Sequence, residues 1–229
     1  MKVNRNLIMN ICKGCGVFLL FYYSALLQYI PIFIFKMDIN NISGSMEVIL
    51  STFSNIILLL ILFIIFRKEI VKEWKIFKDK FVYNIDTGFK FWFIGLLGMV
   101  VSNLIISIVF KGGQAGNEKA VQQMITALPW LMIINAGIIA PFIEEIVFRK
   151  SFKNIFSNKW LFIISSGLVF GAVHLIGNIT SWVDILFIIP YSSLGLAFAA
   201  SYYKTNTVFT SIAMHMFHNT ILTLLSIAL

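Results

Sequence analysis

The sequence is organised around the stretch Pro141-Phe-Ile-Glu-Glu-Ile-Val-Phe-Arg149, which closes an apolar segment of membrane-spanning length. Two adjacent carboxylates and a guanidinium are costly there, because an ionisable group inside a spanning helix costs about 2.5–3.5 kcal/mol on insertion scales. Such a group normally faces the protein interior and meets a partner. We therefore expect Glu144, Glu145 and Arg149 to lie inside a bundle of helices, and we look for their partners elsewhere in the chain.

The composition indicates an integral membrane protein. Of 229 residues, 59% are hydrophobic and 12% charged, whereas a soluble domain carries about 25% charged residues. A helix needs about 20 apolar residues to cross a bilayer. Seven such windows predict an all-α polytopic transmembrane bundle, as one domain over residues 1–229 with scaffold helices in 1–110. The windows are residues 14–35, 48–66, 91–110, 128–148, 160–179, 183–203 and 206–229.

Lysine and arginine predict the orientation, because they collect in cytoplasmic loops. With the N-terminus inside, 15 of the 18 basic residues lie on the cytoplasmic side, which favours an N-in, C-out topology. Residues 67–81 alternate apolar and lysine faces at helical spacing, a pattern typical of a helix lying on the membrane surface. Cys12 and Cys15 would lie at the cytoplasmic edge of the first span, where thiols stay reduced, and no second cysteine pair completes a metal site.

The net charge of +8 comes from residues next to membrane segments. This placement favours the lipid bilayer, with its anionic lipids, as a partner and disfavours nucleic acid. We expect a multi-pass protein of the cell membrane. The bias toward Ile, Phe, Lys and Asn, with the small size, favours a bacterial plasma membrane.

All three histidines fall in the late spans: His174 in the fifth, and His215 and His218 in the seventh. Their concentration beside a glutamate pair favours a shared site. Successive helix residues turn by about 100°, so Glu144 and Glu145 cannot point the same way.

Side chains four residues apart on a helix share a face. Glu145 can therefore pair with Arg149, which leaves Glu144 as the freer carboxylate. By the same spacing His215 shares a face with Asn219, and the ring of Phe170 can pack beside His174. No role follows for His218.

The depth of each side chain in the membrane gives a stricter test of a shared site. It follows from a rise of about 1.5 Å per residue along a helix. His215 lies about 16 Å and His174 about 21 Å from their cytoplasmic helix ends, whereas Glu144 lies only about 8 Å from Arg149. The three side chains reach a similar depth if the fourth helix continues to about Asn154. We predict this continuation. Pro141 removes a backbone donor and favours a kink beside the glutamates, either for packing or beside a water-filled cavity.

Three ordered motifs resemble the signature of the CAAX protease and bacteriocin-processing (CPBP, or Abi) family of intramembrane endopeptidases, which includes the type II CAAX prenyl proteases. The resemblance covers residues 115–222, the expected catalytic core. Each motif is weak alone, and together they are specific. They are Glu144-Glu145-x-x-x-Arg149, Phe170-x-x-x-His174 and His215-x-x-x-Asn219.

The resemblance implies an endopeptidase that cuts a membrane-anchored or lipidated peptide near the cytoplasmic leaflet. Glu144 and His174 would activate a water molecule, and His215 and Asn219 would stabilise the oxyanion. Glu145 and Arg149 would orient these groups, and Phe170 is a candidate for contacting the substrate.

The metal requirement stays open at this point. Glu144, His174 and His215 could form a His₂Glu set for Zn²⁺ with a fourth position for water. There is no H-E-x-x-H motif, however, and the same residues can activate water directly. We favour a reaction without a cofactor.

Two other classes of protein remain. One is a non-catalytic membrane protein, such as a bacteriocin immunity factor or scaffold, in which the motifs serve structure. The other is a proton or metal transporter that uses Glu144, His174 and His215 as a relay. Inverted repeats with broken helices in both halves would favour the transporter, but the titratable groups of the spans all lie in one half.

Overall fold

The computed structural model describes residues 5–111 and 113–228, and these residues form nine α-helices and no strand. The predicted all-α bundle is therefore confirmed. Three short 3-10 segments connect some of the helices: Ser24–Gln28, Ile39–Asn41 and Trp182–Phe187. The helices are α1 (Arg5–Tyr22), α2 (Tyr29–Ile34), α3 (Gly44–Asp79), α4 (Phe81–Phe110), α5 (Gly116–Ala127), α6 (Pro129–Ile155), α7 (Lys159–Val173), α8 (Ile188–Thr205) and α9 (Val208–Ala228).

Five helices are long and apolar enough to cross a membrane, namely α3, α4, α6, α8 with its preceding 3-10 turn, and α9. The first predicted window forms a pair of helical segments, Leu7–Tyr22 and Ser24–Ile34, that bend by 48° and would make a sixth span if counted as one. The fifth predicted window, residues 160–179, is helical only as far as Val173. At 15 residues, α7 is about 22 Å long, shorter than the hydrocarbon core of about 30 Å. The count of seven spans and the N-in, C-out orientation stay predictions.

The expected surface helix over residues 67–81 is wrong. Residues 67–79 continue α3 without a break, so that α3 is 36 residues long and about 54 Å from end to end. No glycine or proline interrupts it between Gly44 and Asp79, and its apolar stripe packs on protein: Ile70 and Phe77 are buried. The second half of α3 therefore extends the bundle beyond the length of one span.

Close contact between α7 and α8 depends on small residues. A Cβ atom on Gly195 of α8 would lie 2.8 Å from the carbonyl oxygen of Gly167 on α7. A Cβ atom on Gly171 would lie 2.9 Å from the backbone nitrogen of Ser192. Glycine at these positions lets the two backbones touch. This contact fixes α7 and α8 side by side, with Phe170 and Phe198 facing the centre of the bundle.

Candidate active site

Helix α6 carries the glutamate pair between two π-helical turns, Asn135–Ile139 and Ile146–Ser151. The helix runs on to Ile155, so the predicted continuation past Arg149 is confirmed. Single π turns inside α-helices often occur at functional sites, because they change which side chains face inward. Sequence periodicity alone gives no signal for either turn.

Pro141 lies just after the first π turn, and the polar groups of that turn are met by α9. The side-chain amide of Asn219 donates to the Ala136 carbonyl oxygen at 3.1 Å. The hydroxyl of Thr220 donates to the Gly137 carbonyl oxygen at 3.4 Å. The carbonyl groups near the proline therefore face protein, and Asn219 joins α9 to α6 beside the glutamates.

Glu145 and Arg149 form the predicted ion pair. Arg149 Nε donates to Glu145 Oε2 at 3.0 Å, and both side chains are fully buried. The other carboxylate oxygen, Glu145 Oε1, lies 3.0 Å from His215 Nδ1. Because a carboxylate accepts, the ring proton of His215 resides on Nδ1, and Nε2 faces away from Glu145.

Further contacts hold the Arg149 guanidinium in the core. Its Nη1 donates to Ser166 Oγ at 2.7 Å, and Ser166 Oγ in turn donates to the Phe148 carbonyl oxygen at 2.7 Å. The guanidinium carbon lies 4.7 Å from the centre of the Phe170 ring, a cation–π distance. Arg149 therefore ties α6 to α7, and through Glu145 it reaches His215 on α9.

Glu144 points to the same histidine from the other side. Glu144 Oε2 lies 3.7 Å from His215 Nε2, and the side chain is 17% exposed. This oxygen is shielded from solvent and accepts no hydrogen bond from any described residue. Glu144 is thus the freer carboxylate that the helical spacing predicts.

His174 follows the last residue of α7, so it caps the end of a helix and does not lie within a span as the window 160–179 predicts. Its Nδ1 lies 2.7 Å from the Phe170 carbonyl oxygen. A carbonyl oxygen only accepts, so Nδ1 carries the proton and Nε2 has a free lone pair.

Phe170 brings the two imidazoles together. Its ring centre lies 4.6 Å from that of His174, as the spacing predicts, and 5.7 Å from that of His215. The opposite sides of the imidazoles are also aromatic, since Tyr191 stacks on His174 at 4.7 Å and Phe198 on His215 at 4.9 Å. Tyr191 and Phe198 were missed from the sequence, because nothing in their spacing links α8 to the histidines.

His218 faces another helix. Trp92 Nε1 of α4 donates to His218 Nδ1 at 3.4 Å, and the imidazole is buried. The site of the glutamates therefore uses the His215 face of α9, and the His218 face packs against α4.

The bundle contains another buried carboxylate, which the sequence did not predict. Glu73 of α3 forms an ion pair with Lys150 of α6. It also accepts from the Tyr202 hydroxyl at 3.1 Å and from the Val208 backbone N–H at 2.7 Å. The sequence carries a signal for this carboxylate, because Glu73 shares the apolar stripe of α3 with Ile70 and Phe77, and all three side chains are buried.

The loop after His174 is covered by the start of α5. A Cβ atom on Gly116 would lie 2.9 Å from the Asn178 carbonyl oxygen, so the two backbones touch. Burial raises the pKa of Glu118, in the first turn of α5, above its usual value. The N-terminal end of α5 therefore packs against the loop that follows α7.

The side chains considered for zinc do not form a ligand set in this arrangement. Within residues 5–111 and 113–228, no three His, Cys, Asp or Glu side chains are grouped to hold one metal ion. Cys12 and Cys15 are both exposed on α1 as free thiols.

Comparison with known proteins shows that the second half of the chain is similar to a known family. Residues 126–221 match the family model "Type II CAAX prenyl endopeptidase Rce1-like". "Putative membrane peptidase YdiL" of Bacillus subtilis is 29% identical over 77% of this chain and 71% of its own length. No solved structure matches this chain significantly.

Two Lactococcus lactis proteins are also similar. UPF0177 protein YajF is 26% identical over 49% of this chain and 57% of its own length. UPF0177 protein YbdI is 30% identical over 52% of this chain and 66% of its own length. These matches, with the family match, agree with the resemblance that the three motifs indicate.

Proposed function

We propose that this protein is an intramembrane endopeptidase that activates water with Glu144 and His174. The match of residues 126–221 to the family model of the Rce1-like type II CAAX prenyl endopeptidases supports the proposal. The bond cleaved is a peptide bond of a membrane-associated or lipidated peptide. The proposal rests above all on Glu144 Oε2, a shielded carboxylate oxygen with no hydrogen-bond donor among the described residues. Such an oxygen is suited to accept a proton from water, and buried carboxylates are frequent general bases.

His174 is the second group on the water. Its Nδ1–H is engaged by the Phe170 carbonyl oxygen at 2.7 Å, which leaves Nε2 as an acceptor. A water molecule between Glu144 and His174 could donate one hydrogen bond to each. The attacking oxygen would then keep a lone pair for the substrate carbonyl carbon, and its proton would pass to Glu144.

His215 and Asn219 stabilise the oxyanion in this proposal. His215 already donates from Nδ1 to Glu145, so donation from Nε2 requires the doubly protonated ring. The carboxylates of Glu144 and Glu145 flank that ring, at 3.7 Å from Nε2 and 3.0 Å from Nδ1. Asn219 uses one amide hydrogen on the Ala136 carbonyl oxygen and has a second available.

Glu145 and Arg149 act as positioning residues. Glu145 holds the Nδ1–H of His215, and Arg149 holds Glu145 through its Nε. Arg149 also binds Ser166 of α7. The Glu145–Arg149 pair therefore links the orientation of the His215 ring to the contact between α6 and α7. A site that is held in this way pays little reorganisation energy when charge develops.

The substrate is proposed to reach this site from the membrane. The rings that pack on the two imidazoles are aromatic, namely Phe170, Tyr191 and Phe198. They suit a peptide held near the bilayer by a lipid or a hydrophobic segment. Processing of a bacteriocin or pheromone precursor, or self-immunity against one, would use such an activity.

The test is cleavage of a lipidated peptide by the purified protein in detergent. We expect product from the wild type and none from E144Q, which keeps the shape of the side chain and removes the base. Each protein is assayed with and without a metal chelator, and we expect no effect of the chelator. Cleavage by E144Q, or none by the well-folded wild type across a panel of lipidated peptides, would contradict the proposal and favour a non-catalytic immunity or scaffold protein.

A further inference from the structure

A lateral groove of about 820 Å³ opens on the outer face of the bundle between α4, α7 and α8. It lies where α7 begins and α8 ends, so the start of one helix and the end of the other form its rim. The floor is made of small side chains, including Ala197 and Ala200 of α8, with Gly95 and Gly98 of α4 beside them. This volume is within the range of about 300–1,000 Å³ that small-molecule sites occupy.

The walls of the groove are apolar and face outward. Ile94 of α4 and Ile164 of α7 line it and are exposed, as is Trp160 near its rim. We expect hydrocarbon around this face, because α4 and α8 are long and apolar enough to span a membrane, and a soluble ligand would gain little there. An acyl chain, by contrast, can lie along such a surface and enter between the helices.

The rim of the groove is cationic. Lys159 and Lys204 both line it, and no acidic residue does. Neither lysine forms an ion pair within the described part of the chain. A third ammonium group, that of Lys153, lies 4.2 Å from the ring centre of Tyr203, another lining residue. The groove thus joins an apolar surface to a patch of uncompensated positive charge.

This groove is separate from the candidate active site. Helix α8 presents Phe198 to His215, whereas Ala197 and Ala200 face the groove. None of the seven motif residues lines it. A ligand in the groove would therefore lie on the far side of α8 from the glutamates.

We propose that this groove binds one anionic phospholipid, with its phosphate group between Lys159 and Lys204 and an acyl chain against Ile94 and Ile164. Basic pockets between membrane helices are typical sites for anionic headgroups. A zwitterionic headgroup adds a cation, which would meet two lysines and no carboxylate. The charge of the rim therefore selects the anionic lipid.

Trp160 provides the test, since it lines the groove. The protein in a neutral detergent is titrated with phosphatidylglycerol or phosphatidylcholine brominated on an acyl chain, and tryptophan quenching is followed. The chain has five tryptophans, so the W160F variant isolates the Trp160 signal by difference. We expect half-maximal quenching of Trp160 at an about 30-fold lower mole fraction of phosphatidylglycerol, because two lysines at about 1 kcal/mol each contribute about 2 kcal/mol toward an anionic headgroup.

Two variants test the lysines by this physical readout, which is independent of proteolysis. K159Q/K204Q should bring the phosphatidylglycerol curve to that of phosphatidylcholine. The matched control K68Q/K72Q removes the same charge from exposed positions of α3 and should keep the preference. A200F, which fills the floor, should weaken quenching by both lipids.

Three outcomes would overturn the proposal. Equal quenching by the two lipids in the wild type would remove the selectivity. A preference that survives in K159Q/K204Q would remove the role of the rim. Displacement of the brominated lipid by a lipidated peptide would assign the groove to the substrate.

Discussion

The backbone N–H of Val208, the first residue of α9, donates a 2.7 Å hydrogen bond to the carboxylate of Glu73 on α3. The first N–H groups of a helix have no partner within it, and a carboxylate there also complements the helix dipole. The same carboxylate pairs with Lys150 of α6. Val208 lies two helical turns before His215, and Lys150 lies six residues after Glu144. Glu73 therefore fixes the position of α9 along the axis of α6, and with it the distance between His215 and Glu144.

Replacement of Glu73 by glutamine is predicted to destabilise the protein and to slow cleavage. The Lys150 ammonium group is left buried without a counter-charge, which costs about 3–5 kcal/mol. The double variant E73Q/K150M removes that uncompensated charge and should recover most of the lost stability. Thermal unfolding in detergent measures the first effect. Steady-state cleavage measures the second effect. We expect kcat of the double variant to stay about tenfold below wild type with KM nearly unchanged, because only the position of α9 along α6 is altered.

The matched control for Glu73 is E69Q, one turn earlier on α3. Glu69 pairs with Lys13 at 2.9 Å, but its side chain is 37% exposed. Exposed pairs contribute about 0–1 kcal/mol, so E69Q should leave both stability and kcat near wild type. Equal losses of stability and kcat in E69Q and E73Q would mean that the second half of α3 stabilises the bundle without positioning α9.

The Glu145 carboxylate is predicted to act on rate more than on substrate binding. Glu145 contacts Arg149 and His215, and the loss of a group that orients a functional histidine in this way typically costs about 10–100-fold in activity. E145Q keeps the volume but lets the side-chain amide turn either its oxygen or its nitrogen toward His215. We expect kcat to fall within that range, with KM changed less than about threefold. Steady-state kinetics with the lipidated peptide separates the two parameters.

The control for this prediction is a change in Arg149. R149K keeps the charge but loses the fork that reaches both Glu145 and Ser166, so it should reproduce the loss in kcat. A normal kcat in R149K, with E145Q impaired, would show that Glu145 acts without its arginine partner.

Much of this site follows from helical spacing, and the rest depends on contacts between distant helices. The spacing of four residues predicts the Glu145–Arg149 pair and the Phe170–His174 contact, since both are local. Glu73 lies more than 70 residues from Lys150, and no periodicity connects them. The end of α7 at Val173 was also missed, because residues 174–179 keep an apolar character that looks like a continuing span.

The two histidines of α9 are predicted to behave differently. His215 faces both glutamates, whereas His218 accepts from Trp92 in the contact with α4. H215Q should lower kcat by about 100-fold or more, the usual cost of losing an oxyanion donor. H218Q can still accept from Trp92 through its side-chain oxygen and should keep kcat within about threefold of wild type. Single-turnover cleavage by the two variants, at matched folded protein, makes the comparison.

A large loss in H218Q with normal folding would contradict this division of α9 into two faces. It would move the candidate site toward Trp92 and α4. Equal, small losses in both variants would remove the proposed role of His215 in the chemistry.

Asn219 and Thr220 allow the last comparison, because both meet the π turn before Pro141 and only Asn219 has an N–H to spare. T220V loses one neutral hydrogen bond to Gly137, worth about 1 kcal/mol, and should unfold at a slightly lower temperature with near-normal kcat. N219A loses the contact with Ala136 and the spare donor together. We expect a similar change in stability but a fall in kcat of about 100-fold. If the two variants lost stability and kcat in the same proportion, Asn219 would serve only to hold the π turn, and the oxyanion would depend on His215 alone.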